Sequence, residues 1–489
     1  MDIVVKKIND VFIKVEANPS ILAEISDSFT FDVPGAKFSW QVKKRLWDGK
    51  KRLFDRRGNK LPGGLALHLR AFAKKNNYTI DFTDVDIENS LSLEETYQFA
   101  KSLNIHSKGL KISFRDYQLL AFRKVIQNKR IILVSPTSSG KSAIIYCVIR
   151  YLQAQKIPKS KKIILVVPLQ SLVEQMYKDF GDYSSNDPNW NVEDNCHRLY
   201  QGHAKTTDKQ VIITTWHSLN DGDSLTFANT RAIIGDECHS YKSDLLTDLF
   251  GKFKNCPYKI GTTGTLQDPA AHRLILEGTF GPAYNVITVK KLTENKQVAK
   301  VNIKCLVLHH KKFRFDSYDD ELRWLMANEK RNNFIKNLAL SLKGNTLILV
   351  NHIDDHLLPL VEALKKSKTD QEIFVIHGGV KVEDREAIRA AIEASAKSIT
   401  IASFGVFSQG VNVQRIHNII TGSSNQSKIR VLQSLGRGLR LGSDKSELDL
   451  YDIADYFDGL NRTFRHYQER IKLYDADGHE YKEYKIRLY

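Results

Sequence analysis

Two series of short, β-branched, uncharged runs fill the sequence from about residue 111 onward, and they constrain the fold more than anything else in it. The first comprises IILV at 131, IILVV at 163, VIITT at 211, AIIG at 232 and KIGTT at 259. The second comprises IKCLVL at 303, TLILV at 346, IFVI at 373, SITIA at 398, NIIT at 418 and DLYDI at 449. Each run leads into a polar or glycine-bearing turn and then a stretch with helical spacing. A strand lacks a polar face only when both of its faces are covered, so this alternation predicts a parallel sheet with crossover helices. Two series predict two α/β domains in tandem, joined near residues 285 to 300.

One turn in the first series carries chemistry. Residues 135 to 142 read SPTSSGKS, close to the phosphate-binding pattern G-x-x-x-x-G-K-[ST] but with Ser135 in place of the first glycine. A bare G-K-[ST] arises by accident roughly once in every few chains of this size, so context has to decide. The apolar run Ile131 to Val134 stands directly before the loop and SAIIYCVIRYL, with helical spacing, directly after it. A strand ending in a tight turn at a helix start gathers backbone N–H groups that suit phosphate. Lys141 then reaches the β- and γ-phosphates, and the Ser142 hydroxyl ligates Mg²⁺. Serine is small enough for the turn that the missing glycine would ease.

About 95 residues later RAIIGDECHS puts Asp236 and Glu237 at the end of another apolar run. Phosphoryl transfer needs a carboxylate near the metal and a second group to orient or deprotonate water; Asp236 is assigned the first role and Glu237 the second.

Residues 1 to about 95 form a different, short α+β region. Nine basic residues lie between Lys43 and Lys60, among them Lys50, Lys51 and Arg52, against Asp48 and Asp55. Phe38, Trp40, Trp47 and Phe54 are interleaved with them. Such a segment suits phosphates and splayed bases, and it equally suits a hairpin whose aromatics pack inward beneath solvated lysines.

The net charge of +17 favours a polyanionic partner, nucleic acid first among them. The five cysteines are scattered and never spaced as C-x-x-C, which argues against a disulfide framework or zinc site and for a reducing compartment. The charged start MDIVVKKIND does not read as a signal peptide, and no stretch reaches the roughly 18 apolar residues of a membrane span. A soluble, cytoplasmic protein is expected, in a host cytoplasm if the source is viral.

With these motifs in place, the order of short segments over residues 111 to 442 resembles the superfamily 2 helicases and translocases. RDYQ (115 to 118) resembles the adenine-reading Q motif, PTSSGKS motif I, VVPLQSLVEQ (166 to 175) motif Ia, TTWHSL (214 to 219) the next DNA-contacting segment, DECH (236 to 239) motif II and TGT (263 to 265) the S-A-T motif III. LILVNHIDD (347 to 355), HGG (377 to 379) with Arg385, SFGVFSQGVNV (403 to 413) and QSLGRGLR (433 to 440) resemble motif IV, the segment after it, motif V and motif VI. Within the superfamily, WDGKKRLFD (47 to 55), LPGGL (61 to 65), IIGDECH and SKIRVLQSLGRGLR resemble the UvsW-type helicases of large tailed bacteriophages, which act on branched DNA.

The resemblance implies a small α+β domain at 1–95, a RecA-like domain at 96–290, a second at 291–460 and a C-terminal helix and tail at 461–489. It implies ATP and Mg²⁺ as cofactors, with Arg115, Gln118, Pro136, Thr137, Ser138, Ser139, Gly140, Lys141, Ser142, Gly410 and Asn412 at the nucleotide and Ser142 with Asp236 at the metal. Asp236, Glu237, Lys141, Arg437 and Arg440 carry catalysis, the two arginines from the second domain. Pro168, Gln175, Thr214, Thr215, Trp216, Gly378 and Ser403 contact nucleic acid, joined by Lys50, Lys51 and Arg52. Its partners are single-stranded, forked or four-way-junction DNA and an RNA–DNA hybrid, bound by a monomeric motor with no membrane attachment. An RNA-directed ATPase of the same superfamily and an annealing protein with a silent ATPase are the competing readings. Ser135, Thr263-Gly264-Thr265 and Asn412 depart from the family pattern, and none removes a group that performs the chemistry.

Overall fold

The computed structural model describes residues 1–33, 35–83, 91–136, 138–155, 158, 160–220, 227–241, 243–266, 270–409, 415–423, 447–459, 461–476 and 478–488. They form two compact units, one of residues 1–135 and 140–287, the other of 136–139 and 288–489.

The first unit is built on a seven-stranded sheet in the order Cys196–Leu199, Val211–Thr215, Lys162–Val167, Thr230–Gly235, Tyr258–Thr263, Arg130–Val134, Ala283–Asn285. Every pairing is parallel. Ile163, Leu165, Val211, Ile213, Ala232 and Ile234 point to one covered face, while Ile132, Ile164, Val166 and Ile233 point to the other. Burial on both faces is why these runs carry no polar alternation. The second unit repeats the plan in the order Glu372–Ile376, Ser398–Ser403, Thr346–Val350, Asn418–Thr421, Glu447–Tyr456, Lys300–His309, Tyr481–Arg487, again all parallel. The fold is therefore the expected pair of RecA-like α/β domains behind a small α+β module.

Three strands lie outside the apolar runs of the sequence: Cys196–Leu199, Ala283–Asn285 and Tyr481–Arg487. All three are sheet edges, where a strand needs only one covered flank. The last changes the description of the C-terminus. Residues 461–489 are not only a helix with a tail beside the motor, because Tyr481–Arg487 pairs with Ile303–His309 and extends the second sheet.

The N-terminal module has a mixed four-stranded sheet, Lys60–Pro62, Phe12–Ala17, Ile3–Lys7, Ile80–Thr83, covered by the helices Pro19–Ser28 and Ala66–Lys75. Its core is continuous with one face of the first motor sheet: Ile3, Val5, Leu65 and Leu69 belong to the same apolar cluster as Ile132, Ile233 and Phe280. Gly64 lies so near the helix Ala270–Phe280 that a Cβ there would fall 2.0 Å from the Glu277 carbonyl oxygen. The N–H of Asp10 donates to the Lys254 carbonyl at 2.8 Å, and the Arg130 guanidinium donates to the Asp10 carbonyl. The module and the first RecA-like domain are thus one packed body.

Candidate nucleotide and nucleic-acid site

In the first unit the candidate chemical groups leave neighbouring strands at the carboxyl end of the sheet, where open α/β sheets bind ligands. Arg130–Val134 runs into the phosphate loop and Thr230–Gly235 into Asp236 and Glu237, with Tyr258–Thr263 between them. Gly140 caps the 14-residue helix Lys141–Ala154 with φ +83°, a conformation that only glycine adopts freely.

Lys141 reaches two acceptors, the Ser135 carbonyl at 3.2 Å and Glu237 Oε1 at 3.3 Å. Ser142 Oγ lies 2.8 Å from the Tyr183 hydroxyl. Asp236 is buried, and its Oδ1 accepts the Thr262 hydroxyl. Burial, and next to it the Glu237 charge, pushes its carboxyl above the usual range. Burial acts the same way on Glu237, but the charges of Lys141 and His239 outweigh it and hold that carboxyl low. Glu237 also sits at φ +47°, in the left-handed region. Backbone strain of this kind, of order 1–3 kcal/mol, concentrates at functional sites.

Motif III is wired to motif II through one hydroxyl. Thr263 Oγ1 donates to the Thr265 carbonyl at 2.6 Å, and His239 Nδ1 stands 2.7 Å from the same oxygen. A hydroxyl has one proton, so toward His239 it accepts, and Nδ1 of His239 carries hydrogen. The Gly264 N–H points at Glu237 Oε2 at 3.4 Å.

Gln118 is placed beside the loop as its motif requires, and its amide is already engaged. Oε1 accepts the Arg115 N–H at 2.8 Å, and Nε2 packs on Gly140 so closely that a Cβ there would lie 2.2 Å away. Pro136, Ser138 and Ser139 form the turn, with the Ser139 hydroxyl on the Pro136 carbonyl at 2.6 Å. Thr137, Gly410, Asn412, Arg437 and Arg440 lie outside the described residues.

The expected strand contacts divide by burial. Pro168, just past Lys162–Val167, Gln175 in the helix Gln170–Tyr183, and Trp216 are half-buried, and Gly378 is exposed after Glu372–Ile376. Arg385 donates to the Gly378 carbonyl at 3.1 Å. Thr214, Thr215 and Ser403 are buried. The Thr214 hydroxyl donates to the Leu199 carbonyl and that of Thr215 meets Ser218, because both complete the buried end of a strand.

In the N-terminal module the two readings of the aromatic segment separate. Phe54 packs inward, whereas Phe38 is 71% and Trp40 63% exposed. Lys50–Arg52 pairs antiparallel with Thr30–Asp32, exposing Lys50 and Arg52, and the Trp47 indole is tied to the Lys50 carbonyl at 2.8 Å.

Sequence reasoning missed Tyr183 and Thr262. Thr262, inside Tyr258–Thr263, stands one residue beyond the Gly235–Gly261 pair and so opposite Asp236, a register visible only in the fold. Tyr183, 41 residues beyond Ser142, gave no signal.

Three family models match in order: DNA helicase UvsW, N-terminal, at residues 2–84; type III restriction enzyme, res subunit, at 111–268; and helicase conserved C-terminal domain at 329–442. The ATP-dependent DNA helicase uvsW of Enterobacteria phage T4 is 27% identical over 96% of both chains. The crystal structure of T4 UvsW superposes with a TM-score of 0.54 at 25% identity, covering 100% of each chain. Along its whole length the chain resembles the UvsW-type superfamily 2 helicases. A DNA 3'-5' translocase, XPB2 of Sulfurisphaera tokodaii, is a more distant relative of this helicase, 23% identical over 71% of this chain and 83% of its own. The fold alone is shared with the helicase MrfA, solved bound to DNA and AMPPNP, at a TM-score of 0.54 and 17% identity over 79% of this chain and 53% of that one.

The oxygen donors present suit a hard cation. Ser142 and Asp236 supply a hydroxyl and a carboxylate, and Mg²⁺ is held by one or two protein oxygens together with substrate phosphates rather than by a protein cage. Among the described residues no group of three or more His, Cys, Asp and Glu side chains is placed to hold a metal ion. No helix among them is long and apolar enough to cross a membrane.

Proposed function

We propose that this chain is an ATP-dependent DNA helicase that acts on branched DNA, driving branch migration, fork regression and the unwinding of D-loops and R-loops in recombination, repair and replication. The observation that carries the ATPase is the convergence of Lys141, Asp236 and Glu237 from two strand ends on either side of the strand that leads into motif III, with Glu237 and its neighbour His239 bonded to motif III. Branched DNA as substrate is supported by the similarity to the T4 helicase along the whole chain and by the exposed aromatic and cationic face of the N-terminal module.

In this reading Gly140 and the helix start at Lys141 receive the phosphates, and Ser142 and Asp236 would hold a Mg²⁺ ion, which would supply charge neutralisation at the phosphates. Lys141 exchanges Glu237 for a phosphate, and Glu237, released, orients and deprotonates the attacking water. Arg437 and Arg440 stabilise the charge that develops on the transferred group. Because His239 and Gly264 touch the same carboxylate that orients water, a shift in motif III on strand binding alters that orientation, which couples DNA to turnover. Action in the cytoplasm of an infected cell belongs to the same proposal.

The test is ATP-dependent resolution of a labelled four-way junction beside a 3′-tailed duplex and an R-loop. Junction turnover well above plain unwinding is expected. ATPase stimulated by RNA alone, or not stimulated by any nucleic acid, overturns the reading.

A further inference from the structure

The segment HHKKFRFD, residues 309 to 316, follows the strand Lys300–His309 in the second unit and belongs to none of the helicase motifs. Lys311, Lys312, Phe313 and Arg314 are consecutive and all exposed, Phe313 at 52%. A single exposed apolar side chain is ordinary, but this one stands on a built support. The Phe313 ring meets Phe315 edge-on at 4.8 Å. Phe315 is buried and packs in turn against Phe457 at 5.1 Å and Trp324 at 5.9 Å, while His310 stacks on Phe457 at 4.5 Å. Four aromatic rings thus fix one outward-facing ring.

The electrostatic surroundings are cationic with local exceptions. Three of the four consecutive exposed residues are cations, and Lys312 reaches Asp458 at 3.3 Å. Both partners of that pair are open to water, so it is worth little and yields readily to a phosphate. Arg462 lies alongside, donating to the Asp316 carbonyl at 3.3 Å, and its neighbour Arg465 is exposed. Asp316, Asp319 and Asp320 follow in the chain, with Asp320 paired to Arg323.

Position in the fold supplies the second argument. All seven strands of this sheet run parallel, so the loop after His309 leaves the same sheet end as Gly378 and Ser403. Four strand steps separate the strand ending at Ser403 from the one ending at His309. At about 4.8 Å per step that is roughly 19 Å, a span of about six nucleotides at the 3.4 Å rise of one duplex strand.

We infer that Phe313, flanked by Lys311, Lys312 and Arg314, is a stacking platform for single-stranded nucleic acid on the second RecA-like domain. A base lies on the exposed ring while the cations take the phosphates on either side, and the buried rings below keep the platform from collapsing onto the surface. The inference rests on the proposed helicase function, which provides the strand.

The experiment measures binding of labelled 20-nucleotide oligothymidylate, oligouridylate and a blunt duplex by fluorescence anisotropy over a salt series, without nucleotide. Phe313→Ala and Phe313→Leu are expected to weaken single-strand binding about tenfold, with Phe313→Trp restoring it and duplex affinity unchanged within twofold. Lys311→Ala/Arg314→Ala is expected to flatten the single-strand salt slope by about 1.4. Equal loss on both oligonucleotides assigns the site to single strands generally, and loss on one alone assigns it to DNA or to RNA. Unchanged single-strand affinity in Phe313→Ala and Phe313→Leu, with wild type binding normally, overturns the platform while leaving the helicase reading intact. Wild-type protein that binds no nucleic acid and shows no stimulated ATPase overturns both.

Discussion

Replacing Gly140 by alanine tests the loop geometry and the placement of Gln118 together. Two costs can be worked from the structure. The backbone sits at φ +83°, and holding an L-residue in that region costs about 1–2 kcal/mol. The new Cβ would also lie 2.2 Å from Gln118 Nε2. Gln118 is buried and its Oε1 holds the Arg115 N–H, so swinging the amide away gives up a helix-starting hydrogen bond worth about 1 kcal/mol. The sum is about 2–3 kcal/mol, which at about 2–4 °C per kcal/mol lowers the melting temperature of the first unit by about 5–10 °C. Affinity for a fluorescent ATP analogue falls about 10- to 100-fold, because the N–H groups that face phosphate move with the turn. The double variant Gly140→Ala/Gln118→Ala isolates the contact. With the amide gone the clash is gone, so the double variant is less destabilised than the sum of the singles by about 1 kcal/mol. A single variant within about 0.5 kcal/mol of wild type, or strict additivity in the cycle, refutes the packing of Gln118 on Gly140.

Lys141→Ala and Glu237→Gln are each expected to abolish ATP turnover in a coupled phosphate-release assay while leaving ATP-free DNA gel shifts within about twofold of wild type, since neither belongs to the proposed strand contacts. Tyr183→Phe removes the hydroxyl that orients Ser142, so the Mg²⁺ concentration that half-saturates nucleotide binding should rise several-fold with little change in stability; an unaltered Mg²⁺ titration contradicts that role. His356, buried between Ser423 and Asn332, has its imidazole pushed down to about 3 by burial and then by the nearby Arg331. It stays neutral in the fold and takes a proton near 6.5 once unfolded, so its contribution is complete above pH 6.5 and is lost toward pH 3 at about 1.4 kcal/mol per pH unit. His356→Asn should flatten the acid limb of the stability profile by about that slope, read from denaturant midpoints between pH 6.5 and 4.5.

What was legible in the sequence follows from where each element sits in a sheet. Ile163 to Val167 and Leu347 to Val350 are buried on both faces, and such strands must be written as continuous apolar runs. YKEYKIR at the second sheet's edge has mostly exposed side chains and reads as polar chain; only the pairing of its backbone with Ile303–His309 makes it a strand. CHRL and AYN are missed for the same reason. The docking of the N-terminal module was equally silent, because Gly64 against Glu277 and Asp10 against Lys254 join positions more than 200 residues apart through backbone groups that every residue possesses.

The site shows the same division between chemistry and support. Lys141, Ser142, Asp236 and Glu237 could be named from sequence because few side chains can do their work and the spacing of strand, turn and helix is fixed. Tyr183 and Thr262 could not, since orienting a hydroxyl or a carboxylate asks only for some donor or acceptor at hydrogen-bond distance, and here one helix and one strand meet that need. This freedom of choice has a functional consequence. A catalytic carboxylate held by its own loop would report only on nucleotide. Glu237 is bonded instead to Lys141 of the phosphate loop and approached by Gly264 of motif III, so its position depends on two strands at once. Any movement of motif III is therefore felt at the carboxylate proposed to orient water, whose backbone sits in the left-handed region.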